Sequence, residues 1–138
     1  MTDATADRHA LACGIAREAG ALVRDVKTAA KWSIGAAAAL TGITTVNWLM
    51  GWELLSYGVA PRTAAGLAGI LAMPLLHAGW AHLIGNVIAG VPLAFLSMER
   101  KRTDFLVVSV VSALTSGLGC WLFGAAGSVH VGASGIVF

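Results

Sequence analysis

The amino-acid sequence predicts an all-α protein, a polytopic bundle of membrane helices with three complete spans and the start of a fourth. Of its 138 residues, 57% are hydrophobic and only 12% are charged. Soluble domains carry about 25% charged residues, so this composition is typical of an integral membrane protein. At about 20 apolar residues for each crossing, the length allows three full spans within a single membrane domain.

Residues 1–31 predict an amphipathic cytoplasmic leader, which precedes a membrane domain at residues 32–138. Apolar residues recur in the leader at helical spacing, and five Lys or Arg residues lie along it. A cleaved signal peptide has a shorter basic start and reaches its apolar core sooner. We therefore expect the leader to remain attached.

Three apolar stretches have the length of a membrane span, with tryptophans flanking the first of them as is typical of a membrane interface. The predicted spans are residues 33–51, 80–98 and 105–123. The charged residues 99–102 predict a tight loop between the second and third spans. A fourth helix is expected to start near Gly132.

Residues 53–74 form a less regular connection after the first predicted span. Pro61 and Arg62 interrupt it, and the apolar stretch at 64–73 is too short to cross a bilayer. This stretch is therefore either a packed loop helix or a re-entrant segment.

The distribution of basic residues predicts the orientation in the membrane. The leader holds five Lys or Arg residues and the 99–102 loop holds three, whereas the loop after the first span holds only Arg62. Because basic loops stay in the cytoplasm, the amino terminus is predicted to lie inside. The starts of the second and fourth helices would then both lie toward the outer face.

Polar residues interrupt the apolar sequence around the start of the second span, at His77, His82 and Asn86. Polar side chains are costly inside a bilayer, so such a cluster is a functional hypothesis. His82 and Asn86 are four residues apart and share one face of a helix. The alternative for each residue alone is an interhelical hydrogen bond, or, for His77, hydration at the outer boundary.

The segment Gly132-Ala133-Ser134-Gly135 supplies a candidate nucleophile at a similar depth. Its glycines permit unusual backbone angles and close approach, which would expose the serine oxygen to a substrate carbonyl. Donors at positions 82 and 86, with backbone N–H groups at a helix start, are what acyl transfer needs to stabilise an oxyanion. The G-x-S-x-G pattern of soluble hydrolases is excluded by Ile136.

Together, the two motifs resemble the rhomboid family of intramembrane serine proteases, over the sequence from about Arg62 onward. The resemblance implies that Ser134 is the nucleophile and that His82 and Asn86 stabilise the oxyanion. It also implies supporting roles for His77, Gly132 and Gly135. The expected substrates are transmembrane segments of other proteins, and the expected location is the lipid bilayer of a bacterial plasma membrane.

Rhomboid proteases use a Ser-His dyad whose histidine lies on the sixth core helix, and nothing in this sequence matches that histidine. His130 precedes the serine and matches no base of the family. A serine without a positioned base is a weak nucleophile, so residues 1–138 alone are expected to be inactive, as a fragment or a truncated product. The alternative function is a non-catalytic rhomboid-like protein that binds transmembrane helices.

Other function classes find little support in the sequence. A metal or proton transporter would need H-E-x-x-H or acidic residues, and the second and third predicted spans contain neither Asp nor Glu. The net charge of +2 does not indicate nucleic-acid binding, and Cys13 and Cys120 lack disulfide or metal-ligand spacing. We predict no metal, no cofactor and no nucleic-acid partner; the substrate and the oligomeric state stay open.

Overall fold

A computed structural model describes residues 4–100 and 102–137, and this part of the chain is all-helical. Its α-helices are, in order, α1 (Ala4–Leu49), α2 (Ala64–Ala72), α3 (Trp80–Arg100), α4 (Arg102–Phe123) and α5 (Ser134–Val137). Short 3-10 helices at Glu53–Tyr57 and Met73–Leu75 flank α2. The main partner of α1 is α3, whereas α4 contacts α2, α3 and α5.

Two helices in the described part of the chain are long and apolar enough to cross a membrane. They lie at Trp80–Met98 in α3 and at Thr103–Phe123 in α4, in agreement with the predicted second and third spans. The predicted first span at 33–51 lies largely within α1, which is not among these membrane-capable helices. Three complete spans therefore stay a prediction, as does a fourth, for which α5 supplies four residues.

The tight loop predicted at residues 99–102 is wrong in its extent. Helix α3 continues to Arg100 and α4 begins at Arg102, while Lys101 lies outside the described residues. Glu, Arg and Lys are good helix formers, and this stretch has no Gly or Pro to end a helix early. The helical backbone therefore extends into this stretch from both sides.

The division predicted at residue 31 falls inside α1, which runs without interruption across it to Leu49. No proline breaks the helix there, and its single glycines are tolerated. The leader, from residue 4 onward, and the helical part of the first predicted span are thus one helix, and residues 1–3 lie outside the described part. Leader and membrane domain as separate units stay a prediction.

The loop between α1 and α3, residues 50–79, packs against the carboxyl-terminal half of α4. A small apolar core joins Val59, Ile70 and Met73 of this loop to Cys120 and Trp121 of α4. Residues 64–72 of the apolar stretch form α2, which contacts α4, and both a packed loop helix and a re-entrant segment stay predictions for it. The loop is thus a packed structural unit beside the segment that leads to Ser134.

Candidate active site

Ser134 is the first residue of α5, a helix of four residues that begins two residues after Gly132. The segment before it is held by the 50–79 loop. The amide of Val59 donates to the His130 carbonyl at 2.9 Å, and the amide of His130 returns a bond of 2.9 Å. The Gly132 amide donates to the Met73 carbonyl at 2.8 Å. These bonds fix the backbone that enters α5.

Gly132 brings this backbone directly against the imidazole of His82. A Cβ atom added at Gly132 would lie 2.5 Å from Cε1 and 2.6 Å from Nε2 of His82. Gly132 also has φ of 120°, in a region that L side chains rarely adopt. Both space and backbone conformation therefore require glycine here, two residues before the serine.

Gly135, on the other side of Ser134, allows α5 to approach α4. A Cβ atom at this position would overlap the hydroxyl and Cβ of Ser116. The glycines on either side of Ser134 thus serve two different contacts, one with α3 and one with α4. Ser134 itself is exposed.

Asn86 lies one turn after His82 on α3 and is only 5% exposed. Its Nδ2 donates to the His82 carbonyl at 3.0 Å, which leaves a second amide hydrogen for another acceptor. Asn86 and Ala133 line the same cavity of about 320 Å³, which is otherwise mostly apolar. Asn86 and the residue that precedes Ser134 thus line one cavity.

His77 is completely buried next to His82, with ring centroids 5.4 Å apart in an edge-to-face arrangement. Neither ring nitrogen of His77 makes a hydrogen bond with the described residues. Burial, reinforced by the nearby His82, lowers the pKa of the His77 imidazole, while the Leu75 carbonyl acts in the opposite direction. His77 is therefore a buried ring in edge-to-face contact with His82, and burial disfavours its charged form.

His130 is occupied elsewhere. Its Nε2 lies 3.0 Å from the Ser128 hydroxyl, and its backbone pairs with Val59. The ring also lies close to Gly124, where an added Cβ would come within 2.7 Å of Nε2. These contacts place His130 just beyond the end of α4, and that it is not the general base stays a prediction.

The structure also singles out polar residues that the sequence analysis missed, on the buried face of α1. Ser33, Thr44 and Asn47 are nearly or fully buried, and their spacing puts them on one helical face. The Asn47 Oδ1 accepts a bond of 3.0 Å from the Leu54 amide, which fixes the start of the following loop. Polar residues spaced eleven and three residues apart, and so on one face of an apolar helix, were the signal that could have found them.

A known protein family matches the part of the chain that contains this site. A family model described as Rhomboid domain matches residues 64–138, which include α2 to α5 and the residues at positions 82, 86 and 134. The chain belongs to the rhomboid family. The matched part of this rhomboid protein begins two residues after Arg62, close to the limit predicted from the motifs.

Curated relatives of this rhomboid protein occur in mycobacteria. Uncharacterised proteins of Mycobacterium bovis and Mycobacterium tuberculosis are each 34% identical over 119 residues, which cover 78% of this chain and 50% of theirs. An uncharacterised protein of Mycobacterium leprae is 29% identical over 119 residues, 78% of this chain and 47% of its own. The chain thus spans about half the length of these relatives. No solved structure matches it.

Proposed function

We propose that this rhomboid chain supplies the nucleophile and the oxyanion-binding side chains of an intramembrane serine endopeptidase. The observation that carries the proposal is the contact between Gly132 and the His82 imidazole, two residues before Ser134. That contact brings the segment of an exposed serine against the half-buried His82, one turn before the buried amide of Asn86. Neighbouring nucleophile and donors of this kind are what acyl transfer requires.

In the proposed reaction, the Ser134 oxygen attacks the carbonyl carbon of a peptide bond and passes its proton to a general base. The carbonyl oxygen becomes an oxyanion, which accepts hydrogen bonds from His82 and from the free Nδ2 hydrogen of Asn86. The base returns the proton to the leaving amine as the acyl-enzyme forms. Water then hydrolyses the acyl-enzyme and regenerates the serine.

The general base is proposed to come from outside residues 1–138. In rhomboid proteases it lies on the sixth core helix, and His130 is already paired with Ser128. The proposed substrates are transmembrane segments that enter from the bilayer. With the amino terminus in the cytoplasm, as the basic residues predict, cleavage would occur near the outer ends of these segments.

A non-catalytic role in binding transmembrane helices is the second candidate. It is favoured by the side chain of Ser134, for which no hydrogen bond to a histidine is found among the described residues. A rhomboid protein of this type would use the same apolar cavity to hold a helix and would hydrolyse nothing.

The deciding experiment reconstitutes the full-length protein in liposomes with a fluorogenic transmembrane substrate. We expect cleavage by the wild type and none by Ser134→Ala, because an alanine has no nucleophile. Ser97→Ala is the matched control, since Ser97 is an exposed serine on α3. Equal cleavage by Ser134→Ala and wild type would remove the serine mechanism, whereas substrate binding without cleavage by the wild type would support the second candidate.

A further inference from the structure

Helix α4 ends at Phe123 with no basic residue in its last turn. The last carbonyls of a helix have no intrahelical partners and carry partial negative charge, so they favour a cationic donor. Arg62, 60 residues before Leu122, supplies that donor. Its Nη1 donates to the Leu122 carbonyl at 3.1 Å and to the Gly124 carbonyl at 3.0 Å, and its backbone amide donates to the Trp121 carbonyl at 3.0 Å.

The backbone around Arg62 is held in an unusual conformation. Arg62 has φ of 58°, in the left-handed region that costs free energy for a residue with a side chain. Such a conformation persists where neighbours enforce it, and here they do so from both sides. The Trp121 indole donates to the Thr63 carbonyl at 2.8 Å, and Pro61 lies so close to Gly124 that an added Cβ would come within 2.7 Å of its ring.

The loop that Arg62 fastens to α4 is the same loop that holds the entry to α5. Three residues before Arg62, Val59 exchanges two backbone hydrogen bonds with His130, and farther along the loop Met73 accepts from Gly132. A displacement of the loop would therefore carry the 130–132 backbone with it. That backbone is the part that puts Gly132 against His82.

We propose that Arg62 is a positioning residue for Ser134. Its guanidinium fixes the 50–79 loop on the carboxyl end of α4, and the loop fixes the backbone that enters α5. The catalytic consequence rests on the proposed function, while the mechanical coupling between Arg62 and residues 130–132 does not. Arg62 acts through the loop and has no contact with the serine among its hydrogen bonds.

Two substitutions separate the side chain from the backbone. Arg62→Gly removes the guanidinium and adopts φ of 58° without strain. Arg62→Lys keeps a charged donor but replaces the planar guanidinium by a compact ammonium on a flexible stem. Arg17→Gln is the matched control, because it removes an exposed cation from α1.

Amide hydrogen exchange in the full-length protein measures the coupling directly. With two hydrogen bonds from a charged donor lost, Arg62→Gly should speed exchange at the His130 and Gly132 amides by roughly tenfold or more, with α3 unchanged. Arg62→Lys should fall between Arg62→Gly and wild type, and Arg17→Gln should match wild type. A serine-reactive phosphonofluoridate should label Ser134 more slowly in Arg62→Gly, and kcat should fall with KM little changed.

Three results would overturn the proposal: unchanged exchange at His130 and Gly132, faster exchange throughout α3 and α4, or faster local exchange with full kcat. Faster exchange throughout α3 and α4 would mean that Arg62 stabilises the whole fold and does not position residues 130–132 in particular. If the wild type cleaves nothing, the proposed function fails, and the exchange comparison still decides the coupling between Arg62 and residues 130–132.

Discussion

The entry to α5 and the membrane-capable helices are held in different ways. Residues 130–132 are fixed by backbone hydrogen bonds to a distant loop and by a glycine pressed against an imidazole. In contrast, only 11% of the residues in the α3 span and 6% in the α4 span are buried within the chain. Most side chains of these spans are thus available to lipid or to other helices.

This difference indicates where the precision of the site originates. Apolar spans in lipid gain little from contact with one another beyond close packing, so their relative positions are weakly specified over much of their length. Hydrogen bonds and positive φ angles fix atoms to within a fraction of an ångström. We infer that the loop, rather than the spans, sets the geometry around Ser134.

The largest expected effect is that of Gly132→Ala. The new Cβ would overlap the His82 ring and would also occupy an unfavourable φ of 120°. We expect labelling of Ser134 by a phosphonofluoridate to slow by roughly a hundredfold, because small misplacements near the chemistry cost that much.

Gly127→Ala is the matched control for this prediction. Gly127 also has a positive φ, of 80°, but nothing lies within 4 Å of an added Cβ. Gly127→Ala should therefore lower the free energy of unfolding by about 1 kcal/mol, through backbone strain alone, and leave labelling of Ser134 nearly unchanged. Equal losses of labelling in the two variants would mean that contact with His82 does not position the serine.

Asn86→Ala tests the α3 side of the site. It removes a proposed oxyanion donor, so kcat should fall by roughly a hundredfold while the thermal midpoint changes little. The one bond it loses is to a carbonyl of its own helix, at His82. Asn47→Ala should behave in the opposite way, since it removes the acceptor for the Leu54 amide and should lower the thermal midpoint. Wild-type kcat in Asn86→Ala would exclude the oxyanion role.

Gly117→Ala tests the packing of the loop on α4. An added Cβ would come 2.5 Å from Cγ2 of Ile70 on α2, so overpacking should cost about 1–3 kcal/mol of unfolding free energy. Gly119→Ala, on the same helix with nothing within 4 Å, should be neutral or stabilising. Chemical denaturation of both variants in detergent gives the comparison. An unchanged free energy of unfolding in Gly117→Ala would show that α2 does not pack against α4.

The smallest expected effect is a pH dependence that arises from His77. Burial lowers its pKa in the folded protein, so the unfolded chain binds a proton more readily. The contribution of His77 to the free energy of unfolding is fully present above the unfolded pKa of about 6.5. This contribution is lost as the pH falls through the lowered pKa of the folded protein.

The pH dependence can be measured as the unfolding free energy of wild type and His77→Gln at about pH 8 and about pH 5.5. The acid-induced loss should be smaller in the variant, because glutamine does not titrate. The same loss in both proteins would assign the pH dependence to other groups.

The sequence predicted the parts of this molecule that depend on local pattern. Hydropathy located the spans in α3 and α4, and glycines around a serine located the start of α5. The charged stretch at 99–102 was misread as a loop because charge indicates exposure to water, whereas helix propensity continues through Glu and Arg. The division at residue 31 also followed a change in charge, and α1 continues through it.

The contacts that fix the site could not be read from the sequence. Arg62 and Leu122 are 60 residues apart, and the pairing of Val59 with His130 is also long-range, so no local periodicity reports either. Likewise, the glycine motif predicted a close approach of the backbone at Gly132, but it did not predict that the ring of His82 is the neighbour. The packing of the entire loop on α4 sets these long-range pairings. In the sequence, the only trace of them is a single arginine in the loop.

The most direct test of the central claim is an experimental structure of the full-length protein after reaction with a phosphonofluoridate. We predict a covalent bond to the Ser134 oxygen, with a phosphonyl oxygen within about 3 Å of both Asn86 Nδ2 and a nitrogen of His82. An adduct whose phosphonyl oxygen points away from both side chains, or one attached to another serine, would contradict it.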